Sequence, residues 1–174
     1  MNYKDYITEI SDFPKPGVSF KDISPLLANK QIFKNAIEEM GNLVVSSLPQ
    51  AFQLSIKTVP DYWVGIDARG FIFASALSMH IGGGVMMCRK SGKLPPPVIS
   101  EEYELEYGTD SLEIKPGRGS VIIVDDVYAT GGTMKTTDNL CKKAGYNVIG
   151  KLVLIDLLYL HDKDELVQSL VQYE

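Results

Sequence analysis

The feature that most constrains the fold of this chain is residues 121–124, the β-branched run VIIV. An unbroken run of this kind predicts a strand that is buried on both faces, in the middle of a parallel sheet. The glycine-containing stretch 129–133 (ATGGT) follows and predicts a turn that begins an amphipathic helix, which Gly145 ends. The strand, turn and helix together indicate an α/β protein.

The rest of the chain repeats this alternation of strand and helix. The predicted elements are helices at 32–48, 71–79 and 164–171, the last capped by Asp162, and strands at 62–66, 85–88 and 148–155. Short turns between them predict an open, mostly parallel sheet flanked by helices. No internal repeat or second domain is visible, so we expect one domain over 1–174.

Two segments do not fit the alternation. Residues 1–30 contain three prolines and predict an extended lead segment rather than a helix. Residues 89–117 are charged, rich in Gly and Pro, and without a clear period. An insertion this long in a compact domain is more often a functional flap than an idle loop, and 103–107 with 111–114 could pair as a small hairpin.

Composition excludes several classes of function. The net charge of −5 provides no general field for nucleic acid or an anionic membrane. Two distant cysteines and two histidines offer little for a zinc site or a Ser-His-Asp triad, and we expect Cys88 and Cys141 to be reduced and buried. The N-terminus lacks an apolar signal region and no stretch is long enough to span a bilayer, so we expect a cytoplasmic protein.

The stretch after the predicted central strand has the composition of an anion site. Small residues let backbone N–H groups converge on a phosphate at a helix N-terminus, and hydroxyls add donors; the residues are Ala129, Thr130, Gly131, Gly132 and Thr133. Asp125 and Asp126 would repel phosphate, but they suit ribose hydroxyls or a divalent cation. A ribose 5-phosphate satisfies both demands. The alternative is an acidic turn that merely caps a helix; a Walker A loop is excluded because no Lys follows the glycines.

Cations follow two other predicted strands. Arg69, in Asp67-Ala68-Arg69-Gly70, is a candidate clamp for pyrophosphate, although it could instead pair with Asp67. Arg89, Lys90 and Lys93 form a basic cluster in an acidic protein. Such a cluster is either a solvated turn or the partner of a strongly anionic leaving group.

These stretches together resemble the adenine branch of the type I phosphoribosyltransferase family. The resemblance covers almost the whole chain and lies in 13–23 (FPKPGVSFKDI), 65–71 (GIDARGF), 89–95 (RKSGKLP), 105–109 (LEYGT) and 124–133 (VDDVYATGGT). The last motif marks the superfamily, whereas the first and fourth point to the adenine branch. The implied fold is a type I phosphoribosyltransferase domain with an N-terminal hood (1–30) and a flexible flap (89–117).

The implied reaction joins adenine to 5-phosphoribosyl-1-pyrophosphate (PRPP) and yields AMP and pyrophosphate, with Mg²⁺ held mainly by PRPP. By resemblance, 129–133 would bind the 5′-phosphate, and Asp125 and Asp126 the ribose. The pyrophosphate would contact Arg69, Arg89, Lys90 and Lys93. Family members also imply a homodimer, with some of these cations reaching across the interface.

The resemblance also implies which residues bind the adenine base and transfer its proton. The backbone of Ser19, with Lys21 nearby, would read the adenine edge, Val127 would flank the ring, and Glu106 on the flap would transfer the purine proton. Ser19 and Lys21 stand where the family usually has an apolar residue and Arg. The alternatives are an enzyme for a 6-oxopurine, which would usually carry a late recognising Lys, and a regulator that senses PRPP without catalysis.

Overall fold

The computed structural model describes residues 1–47, 59–105, 108–162 and 167–174. The helices are α1 (Ser24–Ala28), α2 (Lys30–Ser47), α3 (Gly70–Ile81) and α4 (Gly132–Lys143), with 3-10 turns at Tyr3–Tyr6 and Leu158–Leu160. The strands are β1 (Thr8–Ile10), β2 (Phe20–Asp22), β3 (Tyr62–Ile66), β4 (Gly84–Lys90), β5 (Ile99–Leu105), β6 (Gly108–Ile114), β7 (Gly119–Tyr128), β8 (Tyr146–Leu157) and β9 (Val167–Tyr173).

A seven-stranded sheet forms the centre, in the order β5-β6-β4-β3-β7-β8-β9. The five strands from β4 to β9 in this order run parallel to one another. The hairpin β5–β6 joins antiparallel at the β4 edge. The predicted open, mostly parallel sheet flanked by helices is confirmed.

Strand β7 joins the cores on the two faces of the sheet. Because successive side chains of a strand point to opposite faces, Ile122 and Val124 pack with α2 and α3, and Val121 and Ile123 pack with α4. All four residues are completely buried. Each of these side chains adds about 1.5–3 kcal/mol to stability when fully buried.

The predicted helices and strands of the first two-thirds of the chain are present within a few residues. Helix α2 matches 32–48 except that residue 48 lies outside the described part, and β3 matches its prediction at both ends. Strand β7 is longer than predicted and includes Asp125 and Asp126, because these residues continue the ladder with β8. None of the described helices is long and apolar enough to cross a membrane.

The two segments outside the alternation are also partly ordered. In the hood, β1 and β2 form a small antiparallel sheet, and Pro25 lies in the first turn of α1, where its missing N–H is tolerated. In the flap, the hairpin is longer than predicted, with a register from Ile99–Ile114 to Leu105–Gly108. Residues 106 and 107 lie outside the described residues.

The prediction of a last helix over 164–171 is wrong. Residues Val167–Tyr173 form β9, which pairs in parallel with β8, and residues 163–166 are outside the described part. Asp162 therefore caps no helix over the described residues that follow. A helix would have left the outer backbone groups of β8 without the partners that β9 supplies. Tertiary pairing overrode the local apolar spacing.

Gly70 offers a test of how closely α3 packs against β7. A Cβ at Gly70 would lie 2.6 Å from the carbonyl oxygen of Val124, a backbone atom that cannot move aside. We expect Gly70→Ala to lower the free energy of unfolding by about 1–3 kcal/mol, as overpacking does. Urea denaturation measures this change.

Gly150→Ala is the matched control for this test. Its Cβ would meet only Ile122 Cγ1, at an ordinary 3.7 Å. We expect little change in the urea midpoint. Equal midpoints for the two variants would contradict the proposed close approach of α3 to β7.

Candidate active site

Two adjoining clefts open at the carboxyl ends of β3, β4 and β7. Parallel sheets bind ligands at this edge, where strand order changes direction. One cleft is lined by the loop 129–133 and the end of β7. The other, of about 360 Å³, is lined by residues that include Arg69, Lys90 and Asp126. The two clefts share a wall made by Asp125, Val127, Ala129 and Thr133.

The loop 129–133 leads into the N-terminus of α4. Gly131 precedes the helix with φ 81°, a left-handed conformation that glycine adopts without strain. A Cβ there would also lie 2.5 Å from the Tyr128 hydroxyl, so the loop packs directly on that ring. Thr130, Gly132 and Thr133 are exposed to the cleft side of the protein. The N–H groups of the first helical turn lack intrahelical partners and attract an anion.

The two carboxylates at the end of β7 lie close together. The N–H of Asp126 donates to Asp125 Oδ1 at 2.9 Å. Burial raises the pKa of Asp125 well above its ordinary value, and the neighbouring charge of Asp126 adds to this effect. Burial also raises the pKa of Asp126, whereas Arg69 opposes that rise. Ionising both carboxyl groups in the folded chain therefore costs free energy.

Arg69 pairs with Asp126 rather than with Asp67, so that sequence alternative is wrong. Its Nε lies 2.8 Å from Asp126 Oδ2, which forms an ion pair between the guanidinium and a buried carboxylate oxygen. The Arg69 guanidinium also lies over the Phe20 ring, 4.8 Å from its centroid. This arginine therefore joins the hood to the end of β7.

The basic cluster folds into a compact turn after β4. Arg89 Nε donates to Asp67 Oδ2 at 3.0 Å, and the Lys93 N–H donates to the Lys90 carbonyl at 3.2 Å. Lys90 lines the same cleft as Arg69. Glu113, which is 7% exposed, accepts hydrogen bonds from Ser91 Oγ at 2.8 Å and from the Gly92 N–H at 3.1 Å. These hydrogen bonds fix the turn to Asp67 and to β6, while the side chains of Lys90 and Lys93 are exposed to solvent.

The residues predicted to bind the base are only partly brought together. Val127 lines both clefts. Ser19 is exposed on the hood. The ammonium of Lys21 lies 2.7 Å from Glu9 Oε2 and 4.3 Å from the centroid of the Tyr173 ring. The Lys21 side chain is thus buried away from the cleft, and Glu106 lies outside the described residues.

Two other groups of side chains bear on the chemistry of the chain: the two cysteine thiols and the side chains that could bind a metal ion. Cys88 and Cys141 are buried and unpaired with each other, as predicted. Burial raises the pKa of Cys88 to about 12, which keeps it a neutral thiol. Among the residues that the structure describes, no three His, Cys, Asp or Glu side chains are grouped to hold a metal ion.

Comparison with known proteins decides the family. Residues 30–166 match the model of the phosphoribosyl transferase domain. The adenine phosphoribosyltransferase of Bdellovibrio bacteriovorus is 44% identical over 176 residues, which is 99% of this chain and 100% of that one. That of Carboxydothermus hydrogenoformans is also 44% identical, over 99% of this chain and 100% of that one. This chain belongs to the adenine phosphoribosyltransferase family.

Solved structures of the family have the same fold. The enzyme of Thermoanaerobacter pseudethanolicus superposes with a TM-score of 0.84 at 37% identity, covering 98% of this chain and 97% of that one. The Saccharomyces cerevisiae enzyme, in complex with adenine and an imino-altritol bisphosphate, gives 0.83 at 31% identity, with 96% and 95% covered. The type I phosphoribosyltransferase fold inferred from the motifs is confirmed.

Sequence reasoning missed three side chains that shape this family site. Asp67 lies in the 65–71 motif, but nothing local in the sequence shows that it holds Arg89 on the next strand. Phe20 lies in the 13–23 motif, but nothing in the sequence places its ring against Arg69. The structural role of Glu113 could have been predicted, because this acidic residue lies on a strand between two apolar residues, Leu112 and Ile114, that are buried.

The raised pKa of Asp125 predicts a trade between stability and binding. A group whose pKa is raised by folding stabilises the fold when it is protonated. For Asp125 this stabilisation is lost as the pH rises from 3.8, the pKa of the unfolded state, through the higher pKa of the folded state. Asp125→Asn keeps the acceptor for the Asp126 N–H and removes the charge. We expect a higher Tm for the variant, by a margin that grows with pH.

Thermal melts between pH 4 and pH 8 measure this margin. The wild type should lose stability relative to the variant across that window. A wild type that equals or exceeds the variant at neutral pH would contradict the assigned cost of ionising Asp125.

Proposed function

We propose that this chain transfers the 5-phosphoribosyl group from PRPP to adenine, giving AMP and pyrophosphate in purine salvage. The observation that carries the proposal is the order of groups along the joined clefts. The N-terminus of α4 borders one cleft, the paired carboxylates lie at the shared wall, and two cations, Arg69 and Lys90, line the other cleft. PRPP presents a phosphate, two hydroxyls and a pyrophosphate in the same order.

The 5′-phosphate is assigned to Ala129, Thr130, Gly131, Gly132 and Thr133. Backbone N–H groups and the positive end of α4 would share its charge. Thr136 Oγ1 and Thr137 Oγ1 donate to the carbonyls of Gly132 and Thr133, at 3.0 and 2.8 Å. These bonds fix the first turn of α4, so the donors are oriented before the ligand arrives.

Asp125 and Asp126 are assigned to the ribose hydroxyls. Each carboxylate can accept an O–H, and hydrogen bonds from hydroxyls favour the ionised form that burial disfavours. Hydrogen bonds from the ribose hydroxyls would thereby offset part of the free energy that ionising the pair costs. This gives the acidic pair a selectivity for a polyol phosphate over a simple phosphate.

Pyrophosphate is assigned to Arg69, Arg89, Lys90 and Lys93. As the C1–oxygen bond breaks, negative charge grows on the leaving group and positive charge on the sugar. Cations fixed near the leaving oxygens stabilise that separation, and Asp67 and Glu113 keep the cluster in place. The guanidinium forks suit phosphoryl oxygens better than the ammonium groups do.

Mg²⁺ is the proposed cofactor. The described residues supply the acidic pair but no cage of three ligands, which fits a cation that takes most of its oxygen ligands from PRPP. When bound, the ion neutralises part of the pyrophosphate charge. The chain would then contribute the surrounding cations and carboxylates rather than a metal site of its own.

For the base, the backbone of Ser19 and the side chain of Val127 are the proposed contacts, with Lys21 on the neighbouring hood strand. The Lys21 ammonium is occupied by Glu9, so its contribution is to support the hood strand rather than to reach the ring. Glu106 is the proposed proton-transfer residue. A carboxylate on the flap would exchange a proton with the purine nitrogen, and closure of the flap would exclude water.

We further infer that residues 1–174 act as one domain and assemble as a homodimer. Exposed apolar side chains on α3 and β4 support the dimer, because contact with a partner would remove them from water; they are Ile72, Met79, Val85 and Met87. Two unpaired thiols support a cytoplasmic location, where thiols stay reduced.

A purine-by-purine assay with PRPP and Mg²⁺ tests the proposed function. We expect AMP formation from adenine to exceed IMP or GMP formation by at least about 10²-fold, since a site that hydrogen-bonds one purine edge strongly rejects another. Removing Mg²⁺ with EDTA should abolish turnover. Equal or greater turnover of hypoxanthine would overturn the assignment of adenine.

Glu106→Ala tests the catalytic role of the flap. We expect kcat to fall by about 10²–10⁴-fold, the usual contribution of a general acid–base group. The affinity for PRPP, measured by calorimetry, should change little because the residue acts on the base. Glu102→Ala, at another flap carboxylate, is the control, and a near-normal kcat for Glu106→Ala would contradict the role.

A further inference from the structure

A cluster of polar side chains lies next to the phosphate loop and includes one residue of the cleft wall, Tyr128. It comprises Tyr128 at the end of β7, Asp156 near the end of β8, and His161 after the last 3-10 turn. Tyr128 and Asp156 are directly opposite each other in the β7–β8 ladder. The side chains of His161 and Asp156 are only 6% and 8% exposed. None of the assignments above uses this cluster.

Both ring nitrogens of His161 face hydrogen-bond acceptors. Nε2 lies 2.7 Å from Asp156 Oδ1, and Nδ1 lies 2.7 Å from the Asp162 carbonyl oxygen. A carbonyl oxygen and an ionised carboxylate can only accept. A neutral imidazole has one N–H and would leave one of these short contacts unsatisfied, whereas an imidazolium donates to both. The geometry therefore specifies a charged His161.

The charged ring rests against Tyr128. The two ring centroids are 4.3 Å apart and the planes are inclined by 77°, an edge-to-face arrangement. Edge-to-face contacts between aromatic rings are attractive, so this contact ties the orientation of Tyr128 to that of His161. The Tyr128 hydroxyl, in turn, occupies the space beside Gly131 that a Cβ would fill. A chain of contacts thus leads from His161 through Tyr128 to the loop that begins α4.

We propose that the His161 imidazolium, held by Asp156, is a positioning residue for the phosphate loop, so that affinity for the 5′-phosphate depends on the charge of His161. The proposal rests on the function assigned above. His161 does not touch the ligand; it fixes Tyr128, and Tyr128 fixes Gly131. Loss of the proton would break one short contact and release the ring.

The groups around His161 favour its charged form. Among the residues that the structure describes, its charged and titratable neighbours are the carboxylates of Asp156 and Asp162 and the phenol of Tyr128. Burial alone would disfavour the charge, but the hydrogen bonds to Asp162 and Asp156 and their negative charges raise the pKa of His161 above 6.5. Its contribution is therefore complete below pH 6.5 and is lost as pH rises through the folded pKa.

The first test compares KM for PRPP in the wild type and His161→Gln between pH 6 and pH 9.5. Taking the ratio at each pH cancels the ionisation of PRPP itself. We expect KM of the variant to be about five- to tenfold higher at low pH, the effect of losing a charged hydrogen bond, and the ratio to approach one at high pH. The value of kcat should change little. A ratio that does not vary with pH would overturn the proposal.

Two further variants sharpen this test. Asp156→Asn keeps an acceptor but removes the charge, so the rise in KM should begin at lower pH than in the wild type. His80→Gln changes the only other histidine, which is exposed on α3, and should leave the profile unchanged. An Asp156→Asn profile identical to that of the wild type would count against the proposal.

The second test reads His161 directly by NMR and requires no turnover. In the His80→Gln variant, His161 gives the single imidazole resonance, and its titration is followed with and without saturating AMP. Because coupling between two binding events is reciprocal, the bound phosphate should raise the titration midpoint of His161. An unchanged midpoint would overturn the proposal. Absence of AMP formation by the wild type would instead overturn the proposed function, so the two failures are distinguishable.

Discussion

Burial of β7 on both faces is the constraint on which the rest of the structure depends. Its residues Val121, Ile122, Ile123 and Val124 have no exposed surface and alternate between the two cores. This packing fixes the strand in depth and register. The next residues along the chain must then emerge at the carboxyl edge of the sheet, so Asp125, Asp126 and the loop 129–133 reach the cleft as a direct result of apolar packing further down the same strand.

The same packing places two carboxylates where charge is costly. Asp126 is 4% exposed, and its main compensation is one guanidinium, that of Arg69. An isolated ionised carboxylate in such a place would favour its neutral form. On the proposed assignment, hydroxyl donors of the ribose would reduce this electrostatic cost. Stability and binding would then be opposed at Asp125, as they commonly are in functional sites.

Local pattern predicted the parts of the molecule that depend on local chemistry. The β-branched run, the glycine-containing turn and the helical period of α2 specify their elements because backbone preference and burial agree there. Strand β9 was missed because its conformation depends on pairing with β8. The sequence of 167–173 alone does not show that pairing. The partners of Arg69 and Arg89 were missed for a related reason. Arg69 has Asp67 nearby in sequence, but the fold places the distant Asp126 against it. Arg89 has no acidic residue nearby in sequence, and its partner Asp67 lies at the end of the adjacent strand.

The contact between Arg69 and Asp126 has a consequence for ligand competition within the protein. On the proposed route, Arg69 must exchange Asp126 for a phosphoryl oxygen, so the carboxylate acts as an internal competitor at a fixed and very high local concentration. Ordinary monovalent anions cannot displace it, whereas a polyanion that engages several donors at once can. Asp126 thereby protects the Arg69 guanidinium from the chloride that surrounds any protein in solution.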